Sequence, residues 1–178
     1  MNSKYIKDKQ RYGSTPPDFA LRAFLWAFRY YEINSNVFVK LLCKIIMKAY
    51  KILHCLEISA GTKIGEGLYI GHGYCITINP KAVLGRNINI HKGVTIGQEN
   101  RGKRAGVPNI GDCVWIGVNS TIVGNIKIGN DVLIAPNSYI NCDVPDHSVV
   151  FGNPCIIKSR PNATEGYINN IVYKRGNE

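Results

Sequence analysis

A ladder of apolar residues at every sixth position constrains this chain more than any other feature. Stepping by six from Ile58 reaches Ile64 and Ile70; from Ile78 it reaches Leu84, Ile90 and Ile96; from Ile110 it reaches Ile116, Ile122, Ile128, Ile134 and Ile140. Twelve of the thirteen stations are Ile and one is Leu. No amphipathic helix has a six-residue period, and a plain strand alternates. A fixed short period in an apolar ladder predicts a parallel β-helix built from hexapeptide repeats. Gly follows many stations (Gly65, Gly71, Gly85, Gly97, Gly111, Gly117, Gly129), so each unit reads as a short strand and a tight turn. Three units make one triangular coil with the Ile side chains stacked inside.

The ladder breaks twice. From Ile70 to Ile78 the step is eight, with the surplus inside 71–77; from Ile96 to Ile110 it is fourteen, with the surplus inside 97–109. A regular solenoid has no structural use for insertions, which usually lie on its binding face. Both are expected to project from the prism and to carry function.

The ladder divides the chain into an N-terminal basic helical arm over 1–56, the β-helix over 57–155 and a C-terminal tail over 156–178. Net charge is +10 over 178 residues. Residues 1–56 hold ten Lys/Arg against three Asp/Glu, so the arm carries most of it. Residues 1–17 read as a polar lead-in ending in Thr15-Pro16-Pro17, followed by an aromatic-rich helix to about Glu32 that Asp18 caps. A second helix runs from about Val37 to Cys55, with Lys40, Lys44, Lys48 and Lys51 along one face. It carries a charge every turn and does not span a membrane. Its apolar face suits packing on a neighbouring subunit, with peripheral membrane contact as the other reading. Nucleic-acid binding is not expected, because the coils are near neutral and the arm's aromatics read as buried. Met1 to Gly13 has no apolar core, so no signal peptide and a cytoplasmic location, at most at the inner face of the membrane, are expected. The six cysteines lack CxxC spacing and read as free thiols, and no metal site is expected.

Among the four histidines, His91 reads as an outward turn residue, His54 lies on the second helix and His147 in the terminal cap. His72 lies in the first insertion between two glycines, which leave its imidazole accessible. A loop histidine is ordinarily plain surface; the placement at an interruption makes this one the candidate general base for a hydroxyl. Glu57, just before the first station, is the candidate carboxylate to orient it, against a reading as a solvated junction residue.

Several stretches carry a family resemblance: Lys63 to His72 (KIGEGLYIGH), Gly93-Val94-Thr95-Ile96-Gly97, Pro108-Asn109-Ile110-Gly111, Gly124 to Gly129 (GNIKIG), Asp143-Val144-Pro145 and Gly152-Asn153-Pro154. Residues 56–160 resemble the hexapeptide-repeat acyltransferases, in particular the serine acetyltransferase-like branch. The resemblance implies a left-handed β-helix, a homotrimer, and acetyl-CoA in the groove between adjacent prisms. It implies that His72 is the base and that the acid at Glu57 assists. Gly117, Val118, Ala135 and Pro136 match coil edges that line the coenzyme groove, and Thr95 falls in a matching stretch. Backbone N–H groups near Gly97 and Gln98 are candidate oxyanion donors. Arg101 and Lys103 would cover the pantetheine or attract phosphate, and Lys158 and Arg160 would meet the phosphates; ordinary solvated charge is the alternative for each.

Two departures bear on the acceptor. Serine acetyltransferases usually carry Asp immediately before the catalytic His and Arg-His before the Pro matching Pro108; here stand Gly71 and Gly106-Val107. The bidentate anchor for an amino-acid carboxylate is thus missing. Val114-Trp115-Ile116-Gly117 and the stretch from Gly67 to His72 are similar to enzymes that O-acetylate sugars and surface polysaccharide. The expected activity is acetyl transfer from acetyl-CoA to a sugar hydroxyl in polysaccharide biosynthesis, with serine O-acetylation as the alternative and a non-catalytic scaffold as a more distant one.

Overall fold

The computed structural model describes residues 2–172. Three helices, α1 (Ser3–Arg11), α2 (Phe19–Ile33) and α3 (Val37–His54), precede fifteen short strands. The strands form three parallel sheets, the faces of a left-handed β-helix. The first sheet holds β1 (Glu57–Ile58), β4 (Thr77–Ile78), β7 (Thr95–Gly97), β10 (Thr121–Val123) and β13 (Tyr139–Ile140). The second holds β2 (Lys63–Ile64), β5 (Val83–Leu84), β8 (Asn109–Ile110) and β11 (Lys127–Ile128). The third holds β3 (Tyr69–Gly71), β6 (Asn89–His91), β9 (Val114–Ile116), β12 (Val132–Ile134), β14 (Ser148–Phe151) and, antiparallel at its edge, β15 (Ile156–Ser159).

The ladder sets the register. Ile58, Ile78, Ile96, Ile122 and Ile140 stack on the first face, Ile64, Leu84, Ile110 and Ile128 on the second, and Ile70, Ile90, Ile116 and Ile134 on the third. All are buried. The corners repeat as regularly. Asn87, Cys113, Asp131 and His147 take left-handed backbone at one corner, and Cys75, Asn119 and Asn137 at another. The amide at each donates to a carbonyl of the preceding coil, as Cys113 does to Arg86 and Asn137 to Val118, except at Cys75, which donates to His54 at the end of α3. Left-handed backbone suits Asn and Asp; the cysteines occupy it because the corner amide finds a partner there.

The arm departs from the expectation of a polar lead-in. Residues 3–11 are helical because Asn2 caps them, its side chain accepting from Lys4 and Tyr5. This helix is fixed to the prism through charge. Arg29 and Asp8 are both fully buried, with Arg29 Nε donating to Asp8 Oδ2 at 2.6 Å. Arg29 also donates to the carbonyls of Ile64 and Gly65, and Asp8 accepts from the amides of Gly67 and Leu68. The pair is thus satisfied partly within itself and partly by four backbone groups of the first coil. On α3 the outer apolar residues are uncovered in the single chain, Phe38 at 82% and Leu53 at 75% exposure. No helix among the described residues is long and apolar enough to cross a membrane.

The tail folds back along the third sheet. Asp131 accepts from the amides of Ala163 and Thr164, from the Thr164 hydroxyl and from His147. Further on, Tyr167 and Val172 are tied to Asn89 and Asn87, and the carbonyl of Asn169 accepts from Arg11 on α1. Residues 173–178, with the Lys174 and Arg175 of the expected tail, lie outside the described residues.

Removing Asp8 (Asp8→Ala) strands a buried guanidinium and is expected to cost about 3–5 kcal/mol in urea unfolding. Burial raises the Asp131 carboxyl, but hydrogen bonds from Thr164, His147 and Ala163 outweigh it and hold its pKa below the usual range. Its contribution is therefore present above about pH 4, where the unfolded carboxylate titrates, and is lost as pH falls through the lower folded value. Amide exchange at Ala163 and Thr164 should accelerate, relative to the ladder amides, in acid and in Asp131→Ala.

Candidate active site

Register locates the first insertion to two residues. Gly71 pairs with His91, and the amide of Gly93 donates to the carbonyl of Tyr74. Between Gly71 and Tyr74 only His72 and Gly73 have no counterpart in the next coil. His72 takes left-handed backbone at φ 56° and its carbonyl accepts from the Tyr74 amide at 2.7 Å, which closes a tight kink. The insertion does not loop outward as expected. It is wedged: Gly73 is buried, and a Cβ there would lie 2.8 Å from the Tyr50 hydroxyl of α3 and 3.4 Å from Leu21 of α2. Of the two surplus residues, His72 is the exposed one. The kink therefore presents an imidazole to solvent from a backbone held on both sides.

Glu57 is positioned by β1, paired with Thr77 just beyond the kink. Its carboxylate accepts from Lys51 of α3, and no hydrogen bond among the described residues joins it to His72. Lys51, with Lys44 and Lys48, also lines a cavity of about 370 Å³ between α3 and the first coil, walled by Tyr31, Glu57 and Ile58. His91 differs from its sequence reading: it ends β6, half-buried, between the rings of Tyr69 (6.3 Å) and Trp115 (4.8 Å). Burial, and then the nearby His72, push its pKa below the ordinary imidazole value. His54 is stacked between Tyr50 and Tyr74, and His147 pairs with Asp131.

The second insertion is also folded against the prism. Glu99 and Gly106 exchange both backbone hydrogen bonds, and the amide of Asn125 donates to the carbonyl of Arg104. Arg101 and Lys103 are exposed at its tip, and the Gln98 side chain donates to Asn100. Thr95 and Gly97 bracket the ladder residue Ile96 on β7. Gly117 follows Ile116 and abuts the next coil, where a Cβ would lie 2.6 Å from the nitrogen of Pro136. Val118 is held through its carbonyl by Asn137, while the Ala135 carbonyl accepts from Ser120 and Ser138. Gly117, Val118, Ala135 and Pro136 thus form one edge, stacked in adjacent coils. Lys158 lies over the Phe151 ring and Arg160 is exposed, both at the far end of the third sheet. Among the described residues no group of three or more His, Cys, Asp or Glu is gathered to hold a metal, and none of the six cysteines is in a disulfide.

What sequence reasoning missed is the neighbourhood of the kink, namely Tyr50, Leu21 and His91. The first two come from helices whose docking no local pattern announces. The third was legible in principle, since the ladder aligns Gly71 with His91.

The fold is similar to that of a known class. The model of the bacterial transferase hexapeptide family (six repeats) matches residues 108–142. The chain is thus a hexapeptide-repeat transferase homologue. Within that class its similarity runs to the serine acetyltransferase-like branch. It is 43% identical over 101 residues to the serine acetyltransferase of Staphylococcus aureus, covering 56% of this chain and 46% of that protein. The soybean serine acetyltransferase apoenzyme superposes with a TM-score of 0.69 at 26% identity, over 88% of this chain and 68% of that one. A serine acetyltransferase in complex with CoA superposes with a TM-score of 0.62 at 25% identity, over 78% and 55%. The chain spans less than half the length of the curated relatives it matches, 32% and 46% of the first two.

Proposed function

We propose that the chain is an O-acetyltransferase of the serine acetyltransferase type, moving acetyl from acetyl-CoA to a hydroxyl with His72 as general base. The carrying observation is the His72–Gly73 kink, an exposed imidazole on the two surplus residues of the first insertion, braced by the arm. An enzyme gains most from a base whose backbone is already fixed. His72 takes the hydroxyl proton as the oxygen bonds to the thioester carbonyl carbon. The C–S bond then breaks, and the departing thiolate receives that proton from the imidazole. The CoA complex of a structural neighbour supports this donor. The stacked edge of Gly117, Val118, Ala135 and Pro136 is the surface assigned to it, with Thr95, Gly97, Gln98, Arg101, Lys103, Lys158 and Arg160 as further contacts. Glu57, held by Lys51, is assigned a supporting role. The uncovered apolar face of α3 favours burial against further copies of the chain, which would complete the groove.

The relatives' names favour serine as acceptor, a correction of weight from the sugar hydroxyl expected from sequence. The sugar reading is kept on one observation. Gly106 and Val107 stand where the resemblance places the charged pair, so that position offers an amino acid no charged anchor. Coenzyme A release from acetyl-CoA, measured with L-serine and with a panel of sugars, decides between the two. His72→Ala is expected to lower kcat by ~10²–10⁴; normal turnover in that variant would remove His72 from the role. Glu57→Gln is expected to cost less than His72→Ala. Arg160→Ala, at an exposed position, should raise the KM for acetyl-CoA with little change for the acceptor.

A further inference from the structure

His91 is set against the candidate base from the neighbouring coil. It is the register partner of Gly71, the residue before His72. A Cβ on residue 71 would lie 2.5 Å from His91 Nδ1 and 2.7 Å from Cε1, so the ring occupies the space that any larger residue at 71 would need. The imidazole is fixed in turn by Tyr69 and Trp115, and Trp115 is backed by Tyr167 of the returning tail at 5.1 Å. Its Nε2 is buried with no hydrogen-bond partner among the described residues. A buried polar nitrogen without a partner costs stability, and an apolar ring would fill the same place without that cost. Packing alone therefore does not account for an imidazole here.

We propose that His91 is a positioning residue for His72: its ring is the seat on which the Gly71–His72 kink rests, and it places a second imidazole beside the first. This rests on the reading of His72 as base. The seat forces Gly at 71, and the kink that follows aims the exposed ring. The titratable groups that face His91 are Tyr69 on β3 and His72 at the kink; Tyr12 stands behind Tyr69, and Tyr167 behind Trp115. No carboxylate is in contact with it among the described residues, so the neutral ring is its favoured form at neutral pH, and charge on the nearby His72 further opposes its protonation.

Three variants in the full chain test this. His91→Ala removes the seat and should lower kcat about 10- to 100-fold with the KM for acetyl-CoA unchanged. His91→Phe keeps a ring and should recover part of that loss, but with the acid limb of the rate profile moved, since the second titrating group is gone. Gly71→Ala pushes on the seat from the other side and should reproduce the kcat loss, so a misfolded His91→Ala leaves the test intact. Independently of turnover, the His91 imidazole should titrate by NMR below the usual value near ~6.5 and rise in His72→Gln. A kcat within twofold of the parent in His91→Ala or Gly71→Ala would overturn the proposal, as would a His91 midpoint that ignores His72→Gln. If the parent transfers acetyl to neither serine nor sugars, the proposed function fails while the midpoint shift still decides whether the two rings are coupled.

Discussion

Everything in this molecule depends on coil-to-coil register. A branched side chain at each sixth position fills the prism, and backbone hydrogen bonds at the corners hold one coil on the next. Neither suffices alone. The ladder specifies which residues face inward, but its side chains are nearly identical and do not by themselves forbid a slip by one unit. The corner amides do, because left-handed backbone at Asn87, Cys113, Asp131 and His147 must coincide in successive coils for each N–H to meet its acceptor. Once register is set, a surplus residue has nowhere to go except outward or into a kink. The candidate site is such a surplus.

This explains why the site is so small. Two residues of surplus, His72 and Gly73, are too few for a loop and too many for a flat corner. The chain resolves them with left-handed backbone at His72 and a glycine pressed against Tyr50 and Leu21. The helical arm thus supplies the wall that prevents the kink from relaxing. The buried pair of Asp8 and Arg29 fixes that wall to the first coil through four backbone contacts. Loss of one ion would leave the other buried and uncompensated, so this arrangement specifies geometry more than it adds stability.

Much of this was legible in the residues. The ladder predicted the stacked stations and the faces, and the two long steps located the insertions. The resemblance in the motifs from Lys63 to Pro154 pointed to the branch. Three things were not legible. Helix α1 was read as a polar lead-in because it has almost no apolar face; a cap at Asn2 and a buried salt bridge, rather than greasy packing, hold it. The inward fold of both insertions depended on partners distant in sequence, Tyr50 for the first and Asn125 for the second. The partner of Glu57 is Lys51, from the lysine face of α3, a pairing that the spacing along the helix does not announce.

The returning tail alters what kind of solenoid this is. Repeat stacks ordinarily behave as one-dimensional chains of neighbours, so they fray from either end a coil at a time. Here Asp131 on one coil and Asn87 and Asn89 on another anchor one continuous segment, and Arg11 holds it at Asn169 from the opposite terminus of the stack. The two ends of the stack are therefore clasped together by a segment of turns running lengthwise, like the spine of a book. Peeling a single page then means breaking the binding, and melting becomes a property of the whole volume.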